Sequence, residues 1–539
     1  MVVTAQHLAT RVGVDVLRQG GNAIDAAVAV GYALAVVYPA AGNLGGGGFM
    51  TLQLADGRKT FLDFREKAPL AATPDMYLDA AGNVIKGLST RGHLAVAVPG
   101  TVSGLEFART RYGTMARQRL IAPAIALAEG GFRLEQGDID MLGSATADFE
   151  KDAAIGAIFL NRGRAFGVGE RLVQKDLATT LRAISRRGPD GFYKGAVGAA
   201  IVASSQSGKG ILTQADLDRY ATRELAPIEC DYRGYRVVSA PPPSSGGLIV
   251  CEILNILEGY PLRDLGYRSA EAMHYQIEAM RHAYVDRNSY LGDPDFVANP
   301  VSRLLDKAYA ARIRTAIDPQ KAAISSELMP GVSPHEGSNT THYSIVDRWG
   351  NAVSVTYTLN DWFGARVMAA GTGVLLNNEM DDFTSKPGVP NLYGLVQGEA
   401  NAIAPGKRPL SSMSPTILAK DGKPVMVLGT PGGSRIITAV LLTILNAVDY
   451  GMNVQEAVDA PRFHQQWQPE VTNVEPYALS PDTRKLLLGM GHKLGDAQPA
   501  NHLAAIILGA PSLEGKPVGR NRFYGANDPR RNTGLALGY

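Results

Sequence analysis

The 539-residue chain is short of cysteine, carries little net charge and has no long apolar run. Cys230 and Cys251 are the only cysteines, with no CxxC pair and no histidine at ligand spacing. That excludes a disulfide scaffold or a cysteine-based zinc module. Two thiols in a chain of this size are expected to be buried and free, and they do not disclose a compartment. Lys+Arg 53 against Asp+Glu 51 leaves a formal charge of +2. This excludes the single-sign field that a nucleic acid or an anionic membrane requires of its partner. The longest apolar run, "AIDAAVAVGYALAVV" (23–37), carries Asp25 and falls short of the roughly 20 residues that span a bilayer. It reads as a buried helix with Asn22 as N-cap and Asp25 completing a capping box. The first residues, "MVVTAQHLATRVGVDVLRQGG", enter an amphipathic helix at once, so no export signal is expected within them.

Helix and strand signals alternate along the chain without an internal repeat. "FMTLQLADGRKTFLDFRE" (49–66) reads as a hairpin turning at Asp56-Gly57 and ending on Arg65. Residues 100–290 read as mostly helical, and "PPPSSGG" (241–247) breaks the chain before a further helix. The irregular stretch "LMPGVSPHEGSN" (328–339) has the character of an exposed, cleavable connection. Beyond it "HYSIVD" and "AVSVTYTL" flank a turn, two short strands surround "DGKP", and "VMVLGTPGGSRIITAVLLTILNAV" reads as strand, glycine turn and buried helix. Sheets covered by helices predict a layered α/β architecture; two unrelated domains divided near residue 335 are the alternative.

Four local patterns invite chemistry. His274, Glu278 and His282 share one helix face at metal-ligand spacing, but without an HExxH signature a solvated or hydrogen-bonded face is the expectation. "GNLGGGGFM" (42–50) matches no phosphate-binding fingerprint and precedes a strand, so it reads as tight backbone packing. "GTPGGSR" (429–435) joins a strand to a helix, where backbone N–H groups suit a developing oxyanion. Thr340 and Thr341 sit between the irregular stretch and a strand. A threonine hydroxyl needs an adjacent base, and a cut just before Thr340 would supply one as its own α-amino group; ordinary loop–strand hydrogen bonding is the competing reading.

The blocks "NTTHYSIVDRWGNAVSVTYTLN", "LLNNEMDDF", "KPGVPNLYGLV", "KRPLSSMSPTI", "GTPGGSRIIT" and "GANDPRRNTGLALGY", with "GGNAIDAAVAVGYALAVVYP", "GNLGGGGFM" and "DFRE", resemble the γ-glutamyltransferases over essentially the whole chain. The resemblance implies a four-layer αββα sandwich of the N-terminal nucleophile hydrolase type, cut autocatalytically between Asn339 and Thr340. The products would be a large subunit 1–339 and a small subunit 340–539. Thr340 would be the nucleophile, supported by Thr358, with Gly432 and Gly433 as oxyanion donors. The α-carboxylate of a γ-glutamyl donor would meet Arg65, Ser411 and Ser412, and its α-amino group Asn360, Glu379 and Asp382. Tyr393 would close over the γ-glutamyl group, and Thr341 would support the neighbouring backbone. The resemblance implies glutathione, glutamine or γ-glutamyl peptides as donors and water or amino acids as acceptors. It implies no cofactor, metal, nucleic acid or stable membrane insertion, and a periplasmic or secreted location. Glu379 stands where some relatives carry Gln. "DWF" (361–363) replaces the small hydroxyl residues of many relatives, which makes Trp362 a candidate wall tuning acceptor choice. A cephalosporin-acylase-like amidase and an inactive binding relic are the competing readings; the retained segment around Tyr393 and the intact Thr340, Arg65 and Asp382 favour the transferase.

Overall fold

The strand Thr341–Val346 is buried along its entire length, which demands cover on both faces. Tyr343 and Ile345 pack into a core shared with the helices His7–Arg18 and Ala23–Val37. On the opposite face, Ser344 Oγ donates to the Ala504 carbonyl at 3.0 Å, and Val346 packs against Val238, Ile417, Val427 and Ile506. A computed structural model of the chain describes residues 1–328, 340–499 and 501–539. The expected cleavable stretch, including Asn339, lies almost wholly outside the described residues.

The first sheet runs in the order Leu535–Leu537, Val2–Thr4, Thr341–Val346, Ala352–Thr358, Gly47–Gln53, Lys59–Phe64 and Arg223–Leu225. The second runs Phe523–Asn527, Ala504–Leu508, Lys423–Gly429, Thr416–Lys420, Tyr235–Ser239 and Ile228–Tyr232. The helices Gly246–Leu257, Ala270–Tyr290 and Arg435–Val448 cover the outer face of the second sheet. Helix, sheet, sheet and helix layers give the αββα order. Small hydroxyl side chains bridge the sheets where their faces meet: Ser354 Oγ donates to the Leu428 carbonyl at 3.0 Å and Thr51 Oγ1 to the Pro415 carbonyl at 2.7 Å.

Several expectations follow through to the structure. Asn22 and Asp25 form a reciprocal capping box on Ala23–Val37, and every residue of that helix is buried. The hairpin over 49–66 turns at Gly57 (φ 89°), and the strands around 421–424 turn at Asp421 and Gly422. The segment 100–290 is mostly helical as expected, with 223–239 supplying three strands that close one edge of each sheet. Two readings need correction. Residues before and after 335 interleave within both sheets, so the alternative of two unrelated domains divided near that point is wrong. The expected free thiols are a disulfide: Ile228, Cys230 and Tyr232 point inward from their strand, and this brings Cys230 onto Cys251 in Gly246–Leu257. Without the strands of 223–239 placed, the sequence offers no geometry that would reveal the bond.

The disulfide closes a short loop between an edge strand and a buried helix. Replacing both cysteines by alanine is expected to lower stability by about 3 kcal/mol, chiefly by freeing the unfolded chain. A lower urea midpoint of the double variant, matched by the unaltered protein in reductant, is the measurement that checks it.

Candidate active site

Antiparallel pairing sets Tyr357 opposite Thr341, so the next pair along the ladder is Thr358 with Thr340. Their hydroxyl oxygens stand 3.3 Å apart, both buried. Period-two alternation puts Thr340 on the same side as His342 and Ser344, at the mouth of the space between the sheets. Thr341 faces the other way; its hydroxyl is buried without a hydrogen-bond partner among the described residues, and its backbone is held by its place in the strand ladder. Asn360 N–H donates to Thr358 Oγ1 at 2.8 Å, from a left-handed backbone (φ 72°) that its own amide steadies by donating to the Asn378 carbonyl. Beneath Thr358, Asn43 Nδ2 donates to its carbonyl at 2.8 Å while Asn43 Oδ1 accepts from Gly46 N–H at 2.9 Å. A Cβ on Gly46 would lie 2.0 Å from that same carbonyl. The glycine run is therefore a packing device that lets the floor of the site approach Thr358.

Across the gap, Lys423–Gly429 ends and the helix Arg435–Val448 begins. Gly432 (φ 135°) and Gly433 (φ 54°) make the turn, in backbone regions costly for other residues. Neither N–H donates to a protein group among the described residues, and both precede a helix N-terminus, where partial positive charge accumulates. A Cβ on Gly433 would fall 2.3 Å from the Tyr393 ring, and one on Gly432 2.0 Å from Asn501 Nδ2. Tyr393 closes over the pocket from there, its hydroxyl donating to the Asn360 carbonyl at 2.7 Å. Asn391 Oδ1 holds the segment by accepting from the N–H groups of Tyr393 (3.0 Å) and Leu395 (3.2 Å).

The remaining wall is charged. Arg65, fully buried, pairs with Glu379 and Asp382, and Glu66 Oε2 lies 3.7 Å from it. Three acidic groups thus surround one guanidinium. Burial pushes Glu66 up to about 7 and Glu379 well above the usual carboxylate range, against the pull of Arg65. Ser411 and Ser412 also line the pocket, Ser412 accepting from Arg287 Nη2 at 2.9 Å.

One pocket gathers Thr340, Thr358, Arg65, Asn360, Glu379, Asp382, Tyr393, Ser411, Ser412 and Gly433. Gly432, Thr341 and Trp362, also expected from sequence, do not line it. Arg287, Leu395, Leu410, Met413 and Ile436 also line it and were not foreseen. Arg287 lies in a helix buried over most of its length, so periodicity could not mark the charge that faces the pocket. Trp362 lies beside the pocket, on a wider cleft it shares with Asp361, Arg366 and Arg531; the Arg531 guanidinium stacks 4.4 Å from its ring. Of the expected alternatives for His274, Glu278 and His282, the hydrogen-bonded face holds: His274 and Glu278 are buried and His282 is half-buried. His274 hydrogen-bonds the Asp318 carbonyl (2.7 Å) and His492 (2.8 Å), while Arg281 Nε donates to Glu278 at 3.2 Å. His492, not His282, completes a cluster with His274 and Glu278 whose ligand atoms lie within 4.8 Å of one another. Burial, with His274 and Arg281 beside it, pushes His492 down to about 3, keeping it neutral.

A buried threonine at the head of a central strand, between two stacked antiparallel sheets with helices outside, defines an N-terminal nucleophile hydrolase. Comparisons with known proteins narrow the class. The family model described as Gamma-glutamyltranspeptidase matches residues 9–538. A glutathione hydrolase proenzyme of Pseudomonas sp. (strain A14) is 77% identical, the alignment covering 100% of this chain and 94% of that protein. Among solved structures, a cephalosporin acylase from Bacillus halodurans superposes with a TM-score of 0.86 at 29% identity, over 100% of this chain and 96% of that one. A γ-glutamyltranspeptidase of Helicobacter pylori gives 0.59 at 47% identity, over 62% of this chain and 96% of that one. The chain belongs to the γ-glutamyltranspeptidase family.

The acidic cluster makes the pocket pH-sensitive in a defined direction. Burial raises Glu66 to about 7 and Glu379 well above the usual carboxylate range, so as pH falls these carboxyls take up protons and the pocket loses negative charge. kcat/KM for an α-amino donor is expected to fall on that acid limb. Glu379→Gln removes one of the mutually repelling acids, so the limb should move to lower pH; a pH–rate profile checks this, and an unmoved limb would dissociate the cluster from it.

Proposed function

We propose that the chain is a γ-glutamyltransferase and hydrolase that matures by cutting itself before Thr340. The observation that carries this is the pairing of Thr340 and Thr358 in a pocket lined with acids, serines and a guanidinium. In the precursor, Thr340 Oγ1 attacks the carbonyl carbon of residue 339. The C–N bond breaks, the nitrogen leaves as the new α-amino group, and water hydrolyses the resulting ester. The pieces are a large subunit 1–339 and a small subunit 340–539. The share of this chain covered by the Helicobacter pylori enzyme is close to that of residues 1–339, which supports such a division.

After the cut the α-amino group of Thr340 serves as the base for its own hydroxyl. The hydroxyl attacks the γ-carbonyl of the donor, the negative charge forms opposite Gly432 and Gly433, and collapse expels the amine. Water or an amino acid then takes the acyl group. The donor's α-ammonium goes to Glu379, Asp382 and Asn360, and its α-carboxylate to Arg65, Ser411 and Ser412. Arg65 exchanges part of its pairing with Glu379 and Asp382 for the incoming carboxylate. Glutathione, named in the relatives' activity, and glutamine both present this head group. The likeness to a cephalosporin acylase favours a second reading, an amidase for other acyl groups. A donor without an α-ammonium would leave the acids uncompensated, and this supports the γ-glutamyl reading. Among the described residues no helix is long and apolar enough to cross a membrane. The Cys230–Cys251 disulfide supports a periplasmic or secreted location.

Purified protein is expected to run as two bands rather than one of 57.2 kDa and to release p-nitroaniline from γ-glutamyl-p-nitroanilide. Thr340→Ala should remain one band and lose at least about a thousandfold of the activity; an intact, inactive unaltered chain would sink the proposal. Trp362, pinned by Arg531 at the edge of the site, is proposed to shape the acceptor side. Trp362→Ala should change the ratio of transfer to hydrolysis by about threefold or more, measured with and without an amino-acid acceptor, and a constant ratio removes it from that role.

A further inference from the structure

Arg287 sits near the C-terminal end of Ala270–Tyr290, fully buried, on the wall of the Thr340 pocket. Its partners are all neutral: Ser412 Oγ at 2.9 Å, Ser245 Oγ at 3.0 Å, Asn288 Oδ1 at 2.9 Å and Gln397 Oε1 at 3.4 Å. Among the described residues no carboxylate pairs with it. A buried cation without a paired carboxylate is costly; Asp382 offsets part of that cost without pairing, and a ligand carboxylate at the pocket wall would supply a direct partner.

The hydrogen bonds say where that ligand charge would lie. Ser412 Oγ accepts from the guanidinium, so its own proton must point elsewhere, making it a donor toward the pocket. Arg287 Nε donates to Ser245 Oγ; that hydroxyl donates to the Ser411 carbonyl at 2.7 Å, and Ser245 N–H does so at 2.8 Å. One planar fork therefore braces both serines. Asp382, held by Arg65, is near enough to act on Arg287 electrostatically but does not pair with it. Burial pushes Arg287 down to about 10, which leaves it charged at neutral pH.

We propose that Arg287 is a positioning residue that selects donors carrying an α-carboxylate, by turning the Ser412 hydroxyl into an obligate donor, fixing Ser411 through Ser245 and supplying the pocket with a second positive charge in addition to that of Arg65. The inference rests on the γ-glutamyl reading of the site. It assigns discrimination between a zwitterionic head and a simple amine to Arg287 acting with Arg65, not to Arg65 alone.

The test measures competitive inhibition of γ-glutamyl-p-nitroanilide cleavage by L-glutamate and by 4-aminobutyrate, which is the same molecule without its α-carboxylate. In Arg287→Met the inhibition constant of L-glutamate should rise by about tenfold to a hundredfold, the scale of a lost charge-assisted hydrogen bond. That of 4-aminobutyrate should move less than about twofold. Arg287→Lys keeps the charge without the fork and should restore part of the discrimination. A purely structural role would shift both constants together, and an unchanged ratio of the two overturns the proposal. Self-cleavage into two bands reports that each variant has folded. Should Arg287→Met not mature, the ratio in Arg287→Lys decides alone, and one equal to that of the unaltered protein overturns the proposal. Failure of the unaltered protein to cleave the anilide would strike the γ-glutamyl reading instead, before any variant is compared.

Discussion

The register that sets Tyr357 opposite Thr341 governs everything at the site. It places Thr340 and Thr358 side by side, and the alternation of the two strands turns both hydroxyls toward the gap between the sheets. A slip of one residue would send them into the helix-facing core. The register is held from two directions. On the helix side, Tyr343 and Tyr357 donate to the carbonyls of Ala27 and Gly31 at 3.1 and 3.0 Å. On the sheet side, His342 bonds Thr356 at 2.8 Å and Ser344 at 3.1 Å. Burial pushes His342 down to about 3, so it stays neutral in a space that could not hold its charge.

Around this fixed pair the site is assembled from units that do not share a backbone. The first hairpin brings Arg65, the turn Glu379–Asp382 brings the acids, Ser411 and Ser412 arrive on an extended segment, and the glycines arrive on the second sheet. What binds them is charge balance as much as packing. Arg65 holds Glu379 and Asp382 in place from a distant part of the sequence. Tyr393 then spans the opening from Gly433 to Asn360, coupling the turn of one sheet to the end of a strand of the other.

The parts of this arrangement that could be read from residues alone are those with local signatures. The capping box at Asn22, the Asp56-Gly57 hairpin and the strand–glycine–helix of 425–448 each carry their own stereochemical reason. Thr340 was different: its neighbours supported a nucleophile no better than a turn, and the resemblance across the chain tipped the balance. The strands in 223–239 were lost among helices because they are short, and with them went the contact between Cys230 and Cys251. Arg287 left no mark because a helix enclosed on most sides has no polar stripe. The Arg65 pairing with Glu379 and Asp382 is a relation between residues more than 300 positions apart, which no local pattern encodes.

The interleaving of chain segments from both sides of residue 340 has a consequence for the life of the molecule. Val2–Thr4 lies between Thr341–Val346 and Leu535–Leu537, so a fragment beginning at Thr340 grips the amino-terminal strand on both edges. Severing the peptide link then costs the native state little, since ladders and cores already join the fragments. It changes the unfolded state far more: one chain becomes two, and recovery would require an encounter between them. The precursor alone can search for this topology as a single polymer. Maturation would convert a fold that is found by one chain into an assembly that persists because coming apart is slow.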